Sequence, residues 1–449
     1  MMTSLYKNKG LSLPSLSNAQ VLQKKLLYII GAFIVYRIGC YIPLPGIDAR
    51  VLDEIFKQNS QGILGIFNML SGGSLGRMTI FALAMMPYIT ASIIMQLMTI
   101  VSKDLETLKK EGEVGRKKIN QYTRYLTIIL CAVQSFGIAA GLEAMSGPSG
   151  NLVINPGIMF KVTTITSLTA GTIFLMWLGE RITQQGLGNG TSLLIFAGIV
   201  AGIPNAIMST LELGRTGALS TLLILVVITL ALGLLFTIVF VEKSFRKLLV
   251  QYPKRQVGNK VFGGESTHMP IKINMSGVIP PIFASSILLF PLTIVSFSAN
   301  ATEGTGILDN IALYLAHGKP LYMIMYTILI VFFCFFYTSV VFNPEETAEN
   351  LKKNGGFFPG KRPGKATVEF LDYTISRLTV VGAIYLVVIC LIPEFLVSQF
   401  GIPFYLGGTS ILIVVNVVIE SMTQIQTHLY MNQYQSLLKK MNLKGNKKI

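Results

Sequence analysis

The sequence predicts an all-α membrane protein of ten spanning helices in two inverted five-helix halves, with a re-entrant half-helix before the second span. Three observations predict it. Of 449 residues, 51% are hydrophobic and only 13% charged, whereas a soluble chain carries about 25% charged residues. Apolar runs near the ~20 residues that a helix needs to cross a bilayer recur ten times. Lysine and arginine collect in alternate connecting segments, the signature of a chain threaded back and forth through a membrane.

Taken in order, a basic N-terminus (1–23) leads into span one over 24–42. Lys24 and Lys25 precede the run and Pro43-Leu44-Pro45-Gly46 follow it, in place of a small-residue cleavage site, so span one is expected to be retained. Residues 62–100 then form one apolar stretch too long for a single span and tight for two. Its first part holds Gly62, Gly65, Gly72, Gly73 and Gly76, then a charge at Arg77. Glycine at that density weakens a helix and permits sharp turns. The stretch reads as a short helix that enters the membrane and stops (62–77), followed by span two over 78–100. Irregular backbone at membrane depth is tolerated only where protein or a water-filled cavity surrounds it, so this segment implies a pathway through the membrane. Spans three to six follow at 122–142, 156–178, 190–209 and 217–241. Spans seven to ten lie at 275–296, 320–341, 373–393 and 405–424. The halves divide into 24–212 and 213–424, with a tail over 425–449. Because five is odd, two related halves have opposite orientation, the inverted-repeat layout of many transport proteins; this rests on span count, since no residue-level repeat is evident.

Charge sets the orientation. The segment after span two carries seven basic residues from Lys103 to Arg124, and the loop 243–272 carries seven from Lys243 to Lys272. The loop 343–372 adds Lys352, Lys353, Lys361, Arg362 and Lys365, and the tail adds those from Lys439 to Lys448. The opposite loops hold only Arg50, Lys57, Arg77, Lys161, Arg215 and Lys319. This asymmetry places both termini in the cytoplasm. It also accounts for most of the net charge of +16 and favours contact with anionic lipid. No DNA binding is inferred from it, although contact with ribosomal RNA is compatible with it.

Several chemistries are argued against. Cys40, Cys131, Cys334 and Cys390 sit singly inside apolar runs, without CxxC spacing, and read as apolar filler. His268, His317 and His428 are far apart and lack metal-ligand spacing. No cofactor is expected. Ion-coupled transporters place acids, bases or histidines near midplane, but these spans are mostly Ile, Leu, Met, Thr and Ser; Arg37 and Glu420 lie toward helix ends or else face a cavity. Gly355-Gly-Phe-Phe-Pro-Gly360-Lys361-Arg362 imitates a phosphate-binding loop. It has Arg where the Mg²⁺-binding Ser or Thr belongs, and Pro359 and Pro363 prevent a helix from starting after the lysine. The chain has no engine of its own and is not expected to be an enzyme.

A set of segments together resembles the SecY family, the channel subunits of the bacterial protein-conducting translocase. They are FNMLSGGSLGRMTIFALAMMPYITASIIMQL (67–97), EGEVGRKKINQYTRYLT (111–127), MWLGERITQQGLGNGTSLLIFAGIVAG (176–202), YPKRQ (252–256), STHMPIKINMSGVIPPIFASSILLFP (266–291), NPEETAENLKKNGGFFPGKRPG (343–364) and GGTSILIVV (407–415). They are spread along the chain from 67 to 415 in the family's order.

The resemblance implies roles. The glycine-rich half-helix, with Phe67, Asn68, Met69, Ser71, Gly72 and Gly73, matches the plug that closes the resting channel; by itself it is a re-entrant packing element. Met85 and Ile89 on span two, Thr191 and Ile195 on span five, Ile282 on span seven and Ile413 on span ten match an apolar pore ring. A narrow apolar ring resists wetting yet makes no specific bond to a passing chain. By themselves such side chains are ordinary core or lipid-facing residues, and Thr191 departs from an all-aliphatic ring. Spans two and seven match the two sides of a lateral gate, with Gln96, Asn189 and Asn274 as its polar cluster. The plainer alternative is interhelical hydrogen bonding worth about 0.6–2 kcal/mol each. Lys254, Arg255, Lys361 and Arg362 match basic positions that dock the ribosome or the motor ATPase SecA, although positive-inside topology explains most of the lysines.

The family further implies small membrane subunits SecE and SecG, a bacterial plasma-membrane location, and signal peptides and nascent polypeptides as substrates. The rival reading, a secondary transporter or small-solute channel, needs a charged or strongly polar midplane site that the sequence lacks. A membrane scaffold gives the broken second span and long basic loops no purpose.

Overall fold

A computed structural model describes residues 20–52, 72–144, 146–147, 150–216, 220–253, 255–257, 260–262, 266–288, 319–400 and 407–445. Among these, seven helices are long and apolar enough to cross a membrane. They are α4 (Glu113–Ala144), α5 (Ile158–Gln185), α6 (Gly190–Arg215), α7 (Thr221–Glu242), α9 (Pro320–Val341), α11 (Lys365–Phe400) and α12 (Gly408–Gly445). The other three expected spans are occupied by α1 (Gln20–Gly39), α2 (Met86–Val101) and a short apolar helix, α8 (Ile279–Leu288). The connecting helices α3 (Lys103–Lys110) and α10 (Pro344–Lys353) are polar. In α3 the Lys110 ammonium beside Glu106, 2.7 Å away, holds that carboxyl below its usual range.

Span two departs from expectation at its start. The apolar pattern suggests a helix from 78, but α2 begins at Met86. Met78 and Ala84 take positive φ angles of 41° and 47°, which a continuing helix does not allow. Pro87 then sits in the first turn, where its missing N–H costs nothing. The 16 residues of α2 reach about 24 Å, short of the ~30 Å hydrocarbon core. Tight turns precede it, and two backbone bonds tie them to the chain after α1: Leu44 N to Met78 O (2.9 Å) and Ile80 N to Ile42 O (3.1 Å). Ser74, Leu75, Met78 and Thr79 are all buried, so irregular backbone here is enclosed by protein, as membrane depth requires.

The packing groups α2, α4, α5 and α6 in sequence neighbourhood, with α1 against α5 and α6. In the second half, α11 packs on α9, α10 and α12. Helix α12 joins the halves: it contacts α6 as well as α7 and α11. Gly188, between α5 and α6, donates its N–H to Gln424 Oε1 on α12 at 2.5 Å. The α5–α6 hairpin is closely packed because it is built on glycine. A β-carbon at Gly190 would fall 1.9 Å from the carbonyl oxygen of Gly179.

The two basic loops, read from sequence as separate connections, fold into one unit. Strands β3 (Phe245–Gln251) and β6 (Ser266–Lys272) form an antiparallel hairpin pairing Phe245 with Lys272 and Gln251 with Ser266. Within it, β4 (Arg255–Val257) pairs with β5 (Lys260–Phe262). Phe357 from the second loop bridges to Gln251 through two backbone bonds of 2.9 and 3.0 Å. Leu248, Val250, Ile271, Ala348, Phe358, Leu371 and Ile375 form their common core. A further short pairing, β1 (Ser146–Gly147) with β2 (Gly150–Asn151), lies between α4 and α5.

Candidate functional site

Of the expected plug residues, Phe67, Asn68, Met69 and Ser71 lie outside the described residues. Gly72 and Gly73 are described, and both have positive φ, 68° and 85°. Gly72 is seated between two helices. A β-carbon there would lie 3.1 Å from Gly198 Cα of α6 and 3.2 Å from the Tyr36 hydroxyl of α1, so both the conformation and the space call for glycine. Arg37 Nη1 donates to the Gly72 carbonyl at 2.9 Å, and its Nη2 donates to the Tyr41 hydroxyl at 3.2 Å. The Arg77 guanidinium lies over the Tyr41 ring, 4.2 Å from its centroid. Two arginines thus organise the end of the glycine-rich segment, a role the sequence reading did not assign. The available signal was Arg37 itself, the single charge in the later part of span one.

Met85 and Ile413 are buried in the largest apolar cluster, and Ile89, Ile195 and Ile282 pack against it. Helices α2, α6, α8 and α12 therefore bring five of the six expected ring positions into one apolar body. Thr191 is placed differently. Its hydroxyl donates to Asn189 Oδ1 at 2.7 Å, and its methyl group lies beside Gly179 at the α5–α6 contact.

The three expected gate side chains are hydrogen-bonded to other groups and not to one another. Asn189 is the N-cap of α6, accepting from Thr191 N at 3.1 Å. Gln96 Nε2 reaches Ser92 Oγ at 3.4 Å, while its buried Oε1 has no partner among the described residues. Asn274 Nδ2 donates to Glu242 Oε1 at 2.7 Å and to Gly277 O at 3.0 Å, and its Oδ1 accepts from Ser276 Oγ at 3.0 Å. Glu242, also unassigned from sequence, had a readable signal. It ends an otherwise uncharged helix with an acid, against the helix dipole, an unfavourable placement that a hydrogen-bond donor offsets.

On the basic unit, Lys361 and Arg362 are exposed at the tip between Phe358 and the start of α11. Lys361 Nζ lies 5.9 Å from the Phe370 ring centroid, and Thr367 Oγ1 donates to Arg362 O at 3.0 Å. Phe358, beneath the tip, stacks at a tilt on Phe370 with centroids 5.3 Å apart. Arg255 opens β4, and Lys254 lies outside the described residues. Among the described residues, no group of three His, Cys, Asp or Glu side chains is arranged to hold a metal ion.

A sequence model of the SecY family matches residues 79–422. The chain belongs to the SecY family. Protein translocase subunit SecY of Rickettsia bellii (strain RML369-C) is 58% identical over 421 residues, covering 94% of this chain and 96% of the relative. The corresponding subunit of Escherichia coli (strain K12) is 55% identical over 424 residues, covering 94% and 95%. Among solved structures, a protein-conducting channel superposes with a TM-score of 0.66 at 20% identity, covering 95% of this chain and 97% of the other. Sec61 in a canine ribosome–channel complex gives 0.63 at 20% identity, with 95% and 97% covered. The SecY-family fold thus extends over nearly the whole of this multi-pass membrane chain. The broken start of span two and the five clustered positions expected of the ring lie within the residues matched by the family model.

Proposed function

We propose that this chain is the pore-forming subunit of a bacterial protein translocase. It conducts unfolded secretory polypeptides across the plasma membrane and releases transmembrane segments sideways into lipid. The observation that carries this reading is identity of 55–58% across nearly the whole of relatives named protein translocase subunit SecY. The arrangement is compatible with the task. Met85, Ile89, Ile195, Ile282 and Ile413 form the seal, an apolar constriction that resists wetting without binding its cargo. The segment ending at Gly72–Gly73 is the plug, and α2 and α8 flank the lateral gate with Gln96, Asn189 and Asn274 near the seam. The hairpin unit with Lys254, Arg255, Lys361 and Arg362 faces the cytoplasm, together with both termini, and receives SecA or a ribosome. Small subunits of the SecE and SecG type complete the complex, and anionic lipid surrounds its basic side.

The test is reconstitution in vesicles with SecE, SecG, SecA, ATP and a secretory precursor. Protease-protected precursor at a level near that of a reference translocase is expected; none, where the reference works, overturns the reading.

A further inference from the structure

The only buried carboxylate among the described residues is Glu242, 5% exposed, at the end of α7. A buried charge is costly unless it is paired and hydrogen-bonded. Its partner is Asn274, 2% exposed, in the short segment that leads from β6 into α8. At 2.7 Å this is a short hydrogen bond to a carboxyl oxygen. Asn274 also reaches Gly277 and Ser276, and Ser276 Oγ lies 3.8 Å from Cys334 Sγ of α9. The start of α8 is therefore fastened to α7 through the Asn274 amide and to α9 through the Ser276 hydroxyl that the same amide holds.

A second group lies on the helix packed against Asn274. A β-carbon on Gly382 of α11 would come 3.5 Å from Asn274 Oδ1, and Tyr385, one turn further along α11, has a buried hydroxyl with no hydrogen-bond partner among the described residues. A buried donor left idle is unusual, since buried polar groups are nearly always paired. If Asn274 moves away with α8, this hydroxyl is the donor available to keep the charge from being stranded.

We propose that Glu242 is a positioning residue of the lateral gate. It holds Asn274, and with it the start of α8, in the observed arrangement, and it passes to the Tyr385 hydroxyl when α8 moves. This rests on the reading of α2 and α8 as the two sides of a gate. Breaking the catch loosens the gate, whereas removing the receiving hydroxyl makes opening harder.

The experiment measures export of two precursors by the reconstituted complex, one with an intact signal sequence and one whose signal is weakened by a polar substitution in its apolar core. Glu242→Ala and Asn274→Ala are expected to raise export of the weakened precursor at least threefold, and the double variant no further than Asn274→Ala alone, because Asn274→Ala already removes the shared bond together with those to Gly277 and Ser276. Tyr385→Phe is expected to lower it at least threefold. Glu242→Gln retains an acceptor oxygen and is expected to fall between wild type and Glu242→Ala; it serves as the acid-site variant if the alanine form does not assemble. Wild-type stringency in both Glu242→Gln and Asn274→Ala, additive effects in the double variant, or an unchanged Tyr385→Phe overturns the proposal. Failure of the wild-type complex to export the intact precursor overturns the channel reading instead, so the two failures are distinguishable.

Discussion

The guanidinium of Arg37 holds the carbonyl of Gly72 at 2.9 Å, joining the last turn of α1 to the point where the glycine-rich segment meets α6. The bond lies between residues 35 apart, and a hydrogen bond to a charged donor contributes about 1.5–3 kcal/mol. In the proposed channel it secures the base of the plug.

Arg37→Ala should therefore release that base. Resting ion flux through reconstituted, substrate-free complexes is expected to rise about tenfold, since about 1.4 kcal/mol is a factor of ten in an equilibrium. Arg37→Lys keeps the charge but not the fork that reaches Gly72 and Tyr41 together, so it should fall between. Flux at the wild-type level in Arg37→Ala would remove Arg37 from the closing mechanism.

Gly72 tests the same joint from the other side. Alanine there meets both a positive φ and the Gly198 backbone, and a left-handed conformation alone costs a non-glycine residue about 1–2 kcal/mol. Gly72→Ala should lower the melting temperature of the purified complex and raise resting flux, while Gly73→Ala, with open space around it, should show the smaller change in both. Equal effects at the two positions would argue against the Gly198 contact.

The apolar seal makes a separate prediction. Ile282→Asn and Ile413→Asn each place an amide in the cluster that holds Met85 and Ile89. Either should raise ion leak several-fold or admit precursors with weakened signals, read in the same vesicles. Unchanged leak and selectivity in both variants would place the constriction elsewhere.

Phe358 supports the basic tip without being part of it. It is 2% exposed, and truncating a buried Phe costs about 3–5 kcal/mol. Phe358→Ala should make the 243–272 hairpin sensitive to limited proteolysis and weaken SecA or ribosome binding, with the spans remaining protected. Arg362→Glu, at an exposed site, should weaken the same binding with a melting temperature near wild type. A protease pattern unchanged by Phe358→Ala would show that the hairpin stands without this core.

Much of the layout was legible because membrane spans are written locally, in runs of apolar residues between charges. The runs that became α4, α5, α6, α9 and α11 needed only that rule, although the helices extend beyond the bilayer-length segments into polar turns such as Glu113–Asn120. The start of span two was not legible, because residues 78–85 are as apolar as a helix and only backbone geometry at Met78 and Ala84 interrupts it. The hairpin unit was missed for a related reason. β3 is rich in basic residues and draws its core from Phe358 and Leu371, more than a hundred residues away.

The sequence by itself determined that the chain spans a membrane repeatedly, that the glycines at 72 and 73 interrupt helical order ahead of span two, and that the basic residues collect in alternate loops. Each of these follows from local composition, because the bilayer and the positive-inside bias act on short stretches independently. Only the tertiary structure decided which polar groups meet. Arg37 finds Gly72, Gly188 finds Gln424, and Asn274 finds Glu242 rather than Gln96 or Asn189. Those choices depend on how helices distant in sequence are packed, and inside a membrane each buried polar group must settle on whichever donor or acceptor that packing brings within reach.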